Sequence, residues 1–296
     1  MKMLIIGTSA WNTIIYVDKF IENAGTIFAS KYKEVIGGTA AGKAFNFKRL
    51  GFDTRLVTKI SEDESGKRIK EKILVEKIEG FYIIDEISTE RHTNLMDKKG
   101  DRISIYTHYG KSGQDYDIKS VCQLMDEADL IFLDICDFVK KLFPILPKYK
   151  DKIVLDIHNY DGKNPWHQEF LPYANYIFMS SDALNSEKEV TDLMNKLIEN
   201  RSFVVCTHGK KGAEILTKER KTYFQESILV EDIVDSNGAG DSFVAGFFYA
   251  YSKGLSEIQC MKYASLVAKY TIESEELYSP NLTPEKLETD YEKYFR

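Results

Sequence analysis

The sequence is poor in cysteine, and its cysteines show no pairing pattern. Four occur in 296 residues, at Cys122, Cys136, Cys206 and Cys260. They lie far apart, form no C-x-x-C pair, and three of them sit in apolar runs, so the pattern favours neither a disulfide framework nor a zinc site. Buried free thiols are therefore predicted.

Long apolar runs and clusters of basic residues are also missing. No stretch approaches the roughly 18 to 20 apolar residues needed to cross a membrane, and the apolar run in Met1–Gly7 is too short for a signal peptide. The net charge is −6, with Lys and Arg scattered among Asp and Glu, which argues against a nucleic-acid partner. We expect a cytoplasmic protein that binds neither nucleic acid nor membrane.

What the sequence does contain is enough apolar material for a sizeable core. Hydrophobic residues make up 43% and charged residues 29% of the chain. Short apolar segments predict strands at Leu4–Ile6, Leu56–Ile60, Leu130–Leu133, Ile153–Leu155, Tyr176–Met179 and Phe203–Thr207. Helical or loop composition separates these strands. The alternation predicts an α/β fold with a doubly wound, mainly parallel sheet and helices on both faces.

Two β-rich insertions interrupt this alternation in the N-terminal half, at approximately 13–35 and 81–109. The second contains a predicted hairpin, with strands Thr93–Met96 and Arg102–Thr107 joined by the turn Asp97–Gly100. No linker, repeat or low-complexity tract divides the chain. The prediction is a single domain over residues 1–296, with the two insertions forming a small separate sheet.

The most informative motif is the segment 235–241, which reads D-S-N-G-A-G-D. Its small residues let backbone N–H groups approach an anion closely, and the apolar run Phe243–Tyr251 predicts a buried helix directly after it. An anion at a helix N-terminus is stabilised by the first-turn amides and by the helix dipole. Asp241 is a poor ligand for phosphate there, but it is well placed to accept a proton from an attacking hydroxyl. The same pattern also fits a helix start preceded by an ordinary glycine-rich loop.

A second glycine-rich segment, Gly37–Ala44, is one residue short of the P-loop pattern G-x-x-x-x-G-K-[ST]. The strands that end at Asp134 and Asp156 could each supply the acidic residue of such a site. However, Ala44 has no hydroxyl to bind Mg²⁺, and this hypothesis leaves the segment 235–241 unexplained. A P-loop NTPase is kept only as an alternative.

The segment 235–241 closely resembles the D-T-x-G-A-G-D signature of the ribokinase-like (PfkB) carbohydrate kinases. Gly37-Gly38 followed by a helix resembles the first signature of that family, and the segment 207–212 (T-H-G-K-K-G) resembles its nucleotide loop. The order and spacing of these motifs fit from about Gly7 to Ala268. The resemblance implies a doubly wound α/β domain whose β-sheet lid is made from two N-terminal insertions.

The same resemblance implies an ATP-dependent kinase that phosphorylates a hydroxyl of a sugar or sugar derivative by direct in-line transfer. Its implied catalytic base is Asp241, and its implied anion hole is Gly238, Ala239 and Gly240. The implied substrate-binding residues are Asn12, Gly37, Gly38, Gly42 and Lys43; the implied nucleotide-binding residues are Ser180, Thr207, Gly209 and Gly212. Mg²⁺ would accompany ATP, Asp235 and Asn237 would bind a monovalent cation such as K⁺, and a homodimer would form through the lid.

Three departures from the family pattern affect the acceptor and the metal. Asn12 stands where the family usually has a sugar-binding Asp, and Gly42-Lys43 stands where its GG motif is usually followed by Asn. The segment Ser180–Ala183 lacks both the Asn and the Glu of the N-x-x-E pattern. Because Asn12 carries no charge and Lys43 is near it, we expect a modified acceptor, such as an acidic, phosphorylated or amido sugar, rather than plain ribose or fructose.

Two alternatives remain within the same superfamily. One is a nucleoside or other small-alcohol kinase. The other is a ligand-binding member with weakened catalysis, which the altered Ser180–Ala183 segment favours and the intact Asp241 opposes.

Overall fold

The computed structural model of the chain describes residues 1–21, 23–98, 102–113, 115–231 and 233–295. Its strands are β1 (Lys2–Ile6), β2 (Ala10–Tyr16), β3 (Lys31–Gly37), β4 (Asp53–Ile60), β5 (Glu79–Ile84), β6 (Arg91–Met96), β7 (Arg102–His108), β8 (Leu130–Asp134), β9 (Ile153–Asp156), β10 (Tyr176–Ser180), β11 (Phe203–Thr207), β12 (Gly212–Thr217) and β13 (Thr222–Glu226). Its α-helices are α1 (Thr39–Arg49), α2 (Glu64–Val75), α3 (Ile118–Glu127), α4 (Pro165–Phe170), α5 (Glu187–Leu197), α6 (Ala239–Tyr251), α7 (Glu257–Ile272) and α8 (Pro284–Phe295).

Within the described residues, the larger sheet has nine strands in the order β13-β12-β11-β10-β9-β8-β1-β4-β5. Pairing is parallel throughout the run from β11 to β5 and antiparallel for the pairs β11–β12 and β12–β13. Side chains that are adjacent along a strand alternate between two buried cores: Phe132 packs in one, whereas Ile131 and Leu133 pack in the other. The predicted doubly wound, mainly parallel α/β fold is confirmed.

The carboxyl ends of four neighbouring parallel strands lie side by side. They are β8, β9, β10 and β11, whose last residues are Asp134, Asp156, Ser180 and Thr207. The register pairs Asp134 with Asp156 and Ser180 with Thr207. Open α/β sheets bind their ligands outside the carboxyl ends of the strands, so this row of polar side chains marks the edge where a site is expected.

The smaller sheet has four described strands in the order β3-β2-β6-β7. Strands β2 and β6 pair in parallel, while β2–β3 and β6–β7 pair in antiparallel fashion, as the predicted hairpin requires. The turn predicted at Asp97–Gly100 falls partly outside the described residues. Strand β7 is exposed along its whole length at one edge of this sheet; the expected homodimer through the lid stays a prediction.

The structure corrects the predicted boundaries of the second insertion. Residues 79–84 form β5, which pairs in parallel with β4 and belongs to the larger sheet. The preceding helix, α2, ends at Val75. The run E-G-F-Y-I-I does not mark this strand clearly, because its glycine also fits the end of a helix and because a short edge strand has too few residues to show a clear period.

The predicted free thiols are confirmed, but only two of them are buried. All four cysteines are free thiols, with Cys206 and Cys260 buried and Cys122 and Cys136 half-buried. Among the described residues, no helix combines the length and apolar character that a membrane span requires.

Candidate active site

The glycine-rich turn lies at the N-terminus of α6. Gly238 is the N-cap residue and has φ +78°, a left-handed conformation that glycine adopts without strain. A Cβ on Gly238 would lie 3.0 Å from the carbonyl oxygen of Leu277. Ala239, Gly240 and Asp241 form the first turn, whose N–H groups have no carbonyl partners within the helix. The predicted anion-hole residues therefore sit at the positive end of a helix.

Asp241 meets a buried lysine at this helix start. The Nζ atom of Lys43, on α1, lies 2.7 Å from Oδ1 of Asp241, 3.0 Å from Oδ2 of Asp156 and 3.3 Å from Oδ1 of Asp134. Lys43 is only 1% exposed. One ammonium is thus shared by three carboxylates, which come from the ends of two parallel strands and from the start of α6.

Burial and charge set the protonation of this cluster. Burial raises the pKa of Asp241 to about 6; Lys43 opposes the increase and Asp156 adds to it. The pKa of Asp156 moves the other way, to about 2, because Lys43 and His158 stabilise its charged form more than burial destabilises it. Burial acts to lower the pKa of Lys43, but the three carboxylates raise it well above its usual value. Two neighbouring carboxylates therefore differ widely in basicity, and Asp241 is the one that titrates near neutral pH.

Small residues allow this close approach. A Cβ on Gly42 would lie 2.7 Å from Oδ2 of Asp241, and a Cβ on Gly7 would lie 2.2 Å from Oδ2 of Asp134. The hydroxyl of Thr39 donates a hydrogen bond to the same oxygen of Asp134. Gly42, one of the positions that differ from the family pattern, thus leaves room for the carboxylate of Asp241 beside α1.

The smaller sheet contributes two buried amide side chains. Asn12 on β2 pairs in register with His92 on β6, so Asn12 and Asn94 point to the same face of the sheet. Both are buried, and among the described residues neither Oδ1 atom has a hydrogen-bond partner. Buried amide oxygens are normally hydrogen-bonded, so these two are suited to accept hydrogen bonds from a ligand.

The two glycines of the first signature are closely packed, Gly37 against a side chain and Gly38 against backbone. A Cβ on Gly37 would lie 2.0 Å from Nδ2 of Asn12, and a Cβ on Gly38, which has φ +93°, would lie 2.4 Å from the carbonyl oxygen of Thr8. These positions hold β2 against the start of α1. They bring the predicted substrate-side residues Asn12, Gly37 and Gly38 together.

The predicted nucleotide-binding residues lie farther along the same sheet edge. Thr207 ends β11 next to Ser180, and its carbonyl oxygen accepts a hydrogen bond from the N–H of Ser181 at 3.0 Å. Gly209 has φ +54° and open space around it, whereas a Cβ on Gly212 would lie 2.1 Å from the carbonyl oxygen of Gln225. The loop is therefore tight at Gly212 and accessible at Gly209.

The predicted cation ligands Asp235 and Asn237 lie just before the glycine turn. Oδ1 of Asp235 accepts hydrogen bonds from the backbone N–H of Asn237 at 2.9 Å and from its side-chain amide at 2.7 Å. The other carboxylate oxygen, Oδ2, lies 3.2 Å from Nζ of Lys33. Arg102 donates a hydrogen bond to Oδ1 of Asn237. A side-chain ammonium therefore occupies part of the surroundings of Asp235.

The contacts of Lys43 do not fit a P-loop. A P-loop lysine reaches the β- and γ-phosphates of a nucleotide, whereas Lys43 is surrounded by carboxylates that would repel them. The acidic residues Asp134 and Asp156 bind this lysine directly, and the described residues contain no group of three or more His, Cys, Asp and Glu side chains suited to a metal ion.

Sequence reasoning missed the carboxylate cluster around Lys43 and the lysine at Asp235. A signal for the first existed: Lys43 is a charged residue in the otherwise small and apolar run of α1, and two buried strands end in Leu-Asp. A buried lysine requires a buried partner. No comparable signal marks Lys33, because it lies in the polar run K-Y-K-E at the start of β3, which is typical of an exposed strand end.

Comparison with known proteins places this site in context. The family profile "pfkB family carbohydrate kinase" matches residues 2–284. The chain is 23% identical to acarbose 7(IV)-phosphotransferase of an Actinoplanes species (90% of this chain, 91% of that protein), and 25% identical to a nucleoside kinase of Methanothermobacter thermautotrophicus (92% and 90%). It is 28% identical to the fructosamine kinase FrlD of Bacillus subtilis (73% and 76%). Its fold is similar to that of a microbiome-derived acarbose kinase, with a TM-score of 0.85 at 21% identity over 98% of both chains.

Proposed function

Because this chain belongs to the pfkB family of carbohydrate kinases, we propose that it transfers the γ-phosphoryl group of ATP to a hydroxyl of a sugar derivative, with Asp241 as the general base. The observation that carries the proposal is the position of Asp241: its carboxylate is buried in the first turn of α6, next to the small residues of the anion-hole turn. A base at this point lies beside the phosphate that the turn would hold.

Each part of the site has a role in an in-line transfer. The acceptor hydroxyl loses its proton to Asp241 as its oxygen attacks the γ-phosphorus, and the bond to the ADP oxygen breaks. The backbone N–H groups at Gly238, Ala239 and Gly240 stabilise the charge that develops on the phosphoryl oxygens. Mg²⁺ would be held mainly by the phosphates of ATP, and it would supply positive charge beside the leaving group. Thr207 and Gly209 lie along the sheet edge where the nucleotide would bind.

The charge of the site narrows the class of acceptor. Three carboxylates surround one ammonium at Lys43, which leaves an excess of negative charge beside Asp241. Asn12 and Asn94 of the smaller sheet add neutral amides, and two cations of that sheet, Lys33 and Arg102, already contact Asp235 and Asn237. Two like charges about 4 Å apart in a partly buried site repel by about 4 kcal/mol. This balance argues against the acidic or phosphorylated acceptor expected from the sequence and favours a neutral or amine-bearing sugar derivative.

A panel of acceptors tests both the activity and this preference. We expect ATP turnover with neutral or aminated sugar derivatives, and a kcat/KM about tenfold or more below theirs for the matched sugar acid or sugar phosphate, because the charged group meets the carboxylate cluster. Nucleosides belong in the panel because one relative is a nucleoside kinase. The preference is wrong if the acid or phosphate is the better member of a pair, and absence of turnover with every compound would contradict the kinase proposal.

The pH profile tests the base. Burial raises the pKa of Asp241 to about 6, and only the deprotonated carboxylate can accept the proton. We therefore expect kcat/KM for the acceptor, at saturating ATP, to fall as the pH drops through about 6. Titration of ATP itself could produce a similar fall in kcat/KM on the acidic side of the profile, which we call the acidic limb. The profile is therefore repeated with Asp156→Asn. Loss of this neighbouring charge lowers the pKa of Asp241 and should move the limb to lower pH, whereas a limb that stays in place belongs to the substrate.

A further inference from the structure

Lys33 lies where the family resemblance implies a monovalent cation. Its side chain reaches from β3 of the smaller sheet to the segment before the anion-hole turn, and it is only 14% exposed. Its Nζ atom lies 3.2 Å from Oδ2 of Asp235 and also donates a hydrogen bond to the main-chain carbonyl oxygen of Glu275. A carboxylate oxygen and a main-chain carbonyl oxygen are the ligands that a hard cation prefers.

The remaining groups around Asp235 leave little capacity for a second cation. Oδ1 is already used by the backbone and side-chain amides of Asn237. The backbone N–H groups of Val234 and Asp235 both donate to the carbonyl oxygen of Ile272, which fixes the segment against the end of α7. Asp235 itself is 3% exposed. A K⁺ ion at Oδ2 would lie against the ammonium of Lys33, and two like charges in such a buried place repel strongly.

These residues therefore do not fit K⁺ while Lys33 is in place. We propose that the ammonium of Lys33 takes the place of the monovalent cation, so that the positive charge next to Asp235 is a permanent part of this chain. Lys33 is a positioning residue: it holds Asp235, three residues before Gly238, and links the smaller sheet to the turn. This inference rests on the proposed kinase function for its effect on rate, but not for the occupancy of the site.

Cation dependence tests the proposal. Initial rates and melting temperatures are measured for the wild type in KCl, NaCl and tetramethylammonium chloride at equal ionic strength. We expect both quantities to be the same in all three salts. For Lys33→Met, we expect a rate about tenfold or more below wild type without K⁺, partial recovery in KCl or ammonium chloride, and a melting temperature that K⁺ raises.

Lys31→Met is the matched control. Lys31 lies two residues away on β3 and pairs with the same Glu275, but through its exposed side-chain carboxylate at 2.6 Å. We expect this variant to keep the wild-type rate and the wild-type indifference to K⁺. The proposal is overturned if K⁺ activates or stabilises the wild type, or if Lys33→Met responds to K⁺ in neither rate nor melting temperature. If Lys33→Met does not fold, the wild-type arm decides; if no acceptor supports turnover, the melting temperatures still report the cation site.

Discussion

Asp241→Asn is expected to lower kcat by roughly 10²- to 10⁴-fold, the range that a positioned general base contributes. The substitution keeps the shape of the side chain and removes its proton-accepting oxygen. Lys43 retains Asp134 and Asp156 as partners, at 3.3 and 3.0 Å, so the ammonium stays paired. We therefore expect a folded variant that still binds ATP, measured by isothermal titration or by its thermal stabilisation.

Asp156→Asn serves as the control for Asp241→Asn. Asp156 contacts the same ammonium and is buried to a similar degree, but it ends β9 rather than beginning α6. If Asp241 acts as the base, the loss at Asp241 should far exceed the loss at Asp156. Equal losses would mean that Asp241 serves only to balance the charge of Lys43, and near-normal turnover in Asp241→Asn would contradict the mechanism.

The alternation of strands and helices can be predicted from the apolar pattern of the sequence. Buried strands such as 130–133 and 203–207 are continuous apolar runs, which only a sheet covered on both faces can bury. The glycine turn before α6 can be predicted equally well, because Gly238 and Gly240 indicate a backbone that an anion can approach closely. Edge strands are harder: β5 and β13 are short, partly exposed and paired on one side, so their composition resembles that of a loop.

Only part of the candidate site could be predicted from the sequence. Asp241 and the turn lie in one continuous segment, and a local pattern identifies them. The partners of Lys43 lie 91 and 198 residues away in sequence for Asp134 and Asp241, and only the sheet order brings them together. The prediction about the acceptor drew on Asn12 for this reason, and it did not include Asp134 and Asp156, which β8 and β9 place beside Lys43.

Lys43→Met is expected to lower the free energy of unfolding by about 3 to 5 kcal/mol near neutral pH, the cost of removing one partner from a buried ionic cluster. Methionine fills a similar volume, so the loss reports charge rather than a cavity. It leaves Asp134, Asp156 and Asp241 close together without their common counter-ion. Urea denaturation measures the change, and Lys43→Met combined with Asp156→Asn should recover part of it, because one fewer carboxylate then stays unpaired.

The pH dependence of the stability lost in Lys43→Met distinguishes an effect of charge from an effect of packing. In the wild type the pKa of Asp156 is held at about 2, chiefly by Lys43, so its ion pair stabilises the fold above the unfolded pKa of about 4 and is lost as the pH falls toward 2. Without Lys43 the pKa values of Asp156 and Asp241 rise, because Lys43 lowers both in the wild type, and protonation relieves the repulsion between them. The deficit of Lys43→Met should therefore be smaller at about pH 5 than near neutrality; a deficit independent of pH would mean that methionine simply packs badly.

Kinetics on the residual activity of Lys43→Met decide which substrate the lysine serves. Because Lys43 holds Asp241 and faces carboxylates, its loss should raise the apparent KM for the acceptor more than that for ATP, together with a lower kcat. Lys43→Arg, which keeps the charge, is the companion variant and should retain more stability than Lys43→Met. A rise confined to the KM for ATP would place the ammonium on the phosphates and return the segment 37–44 to the P-loop hypothesis, against the three carboxylate contacts that the fold builds around it.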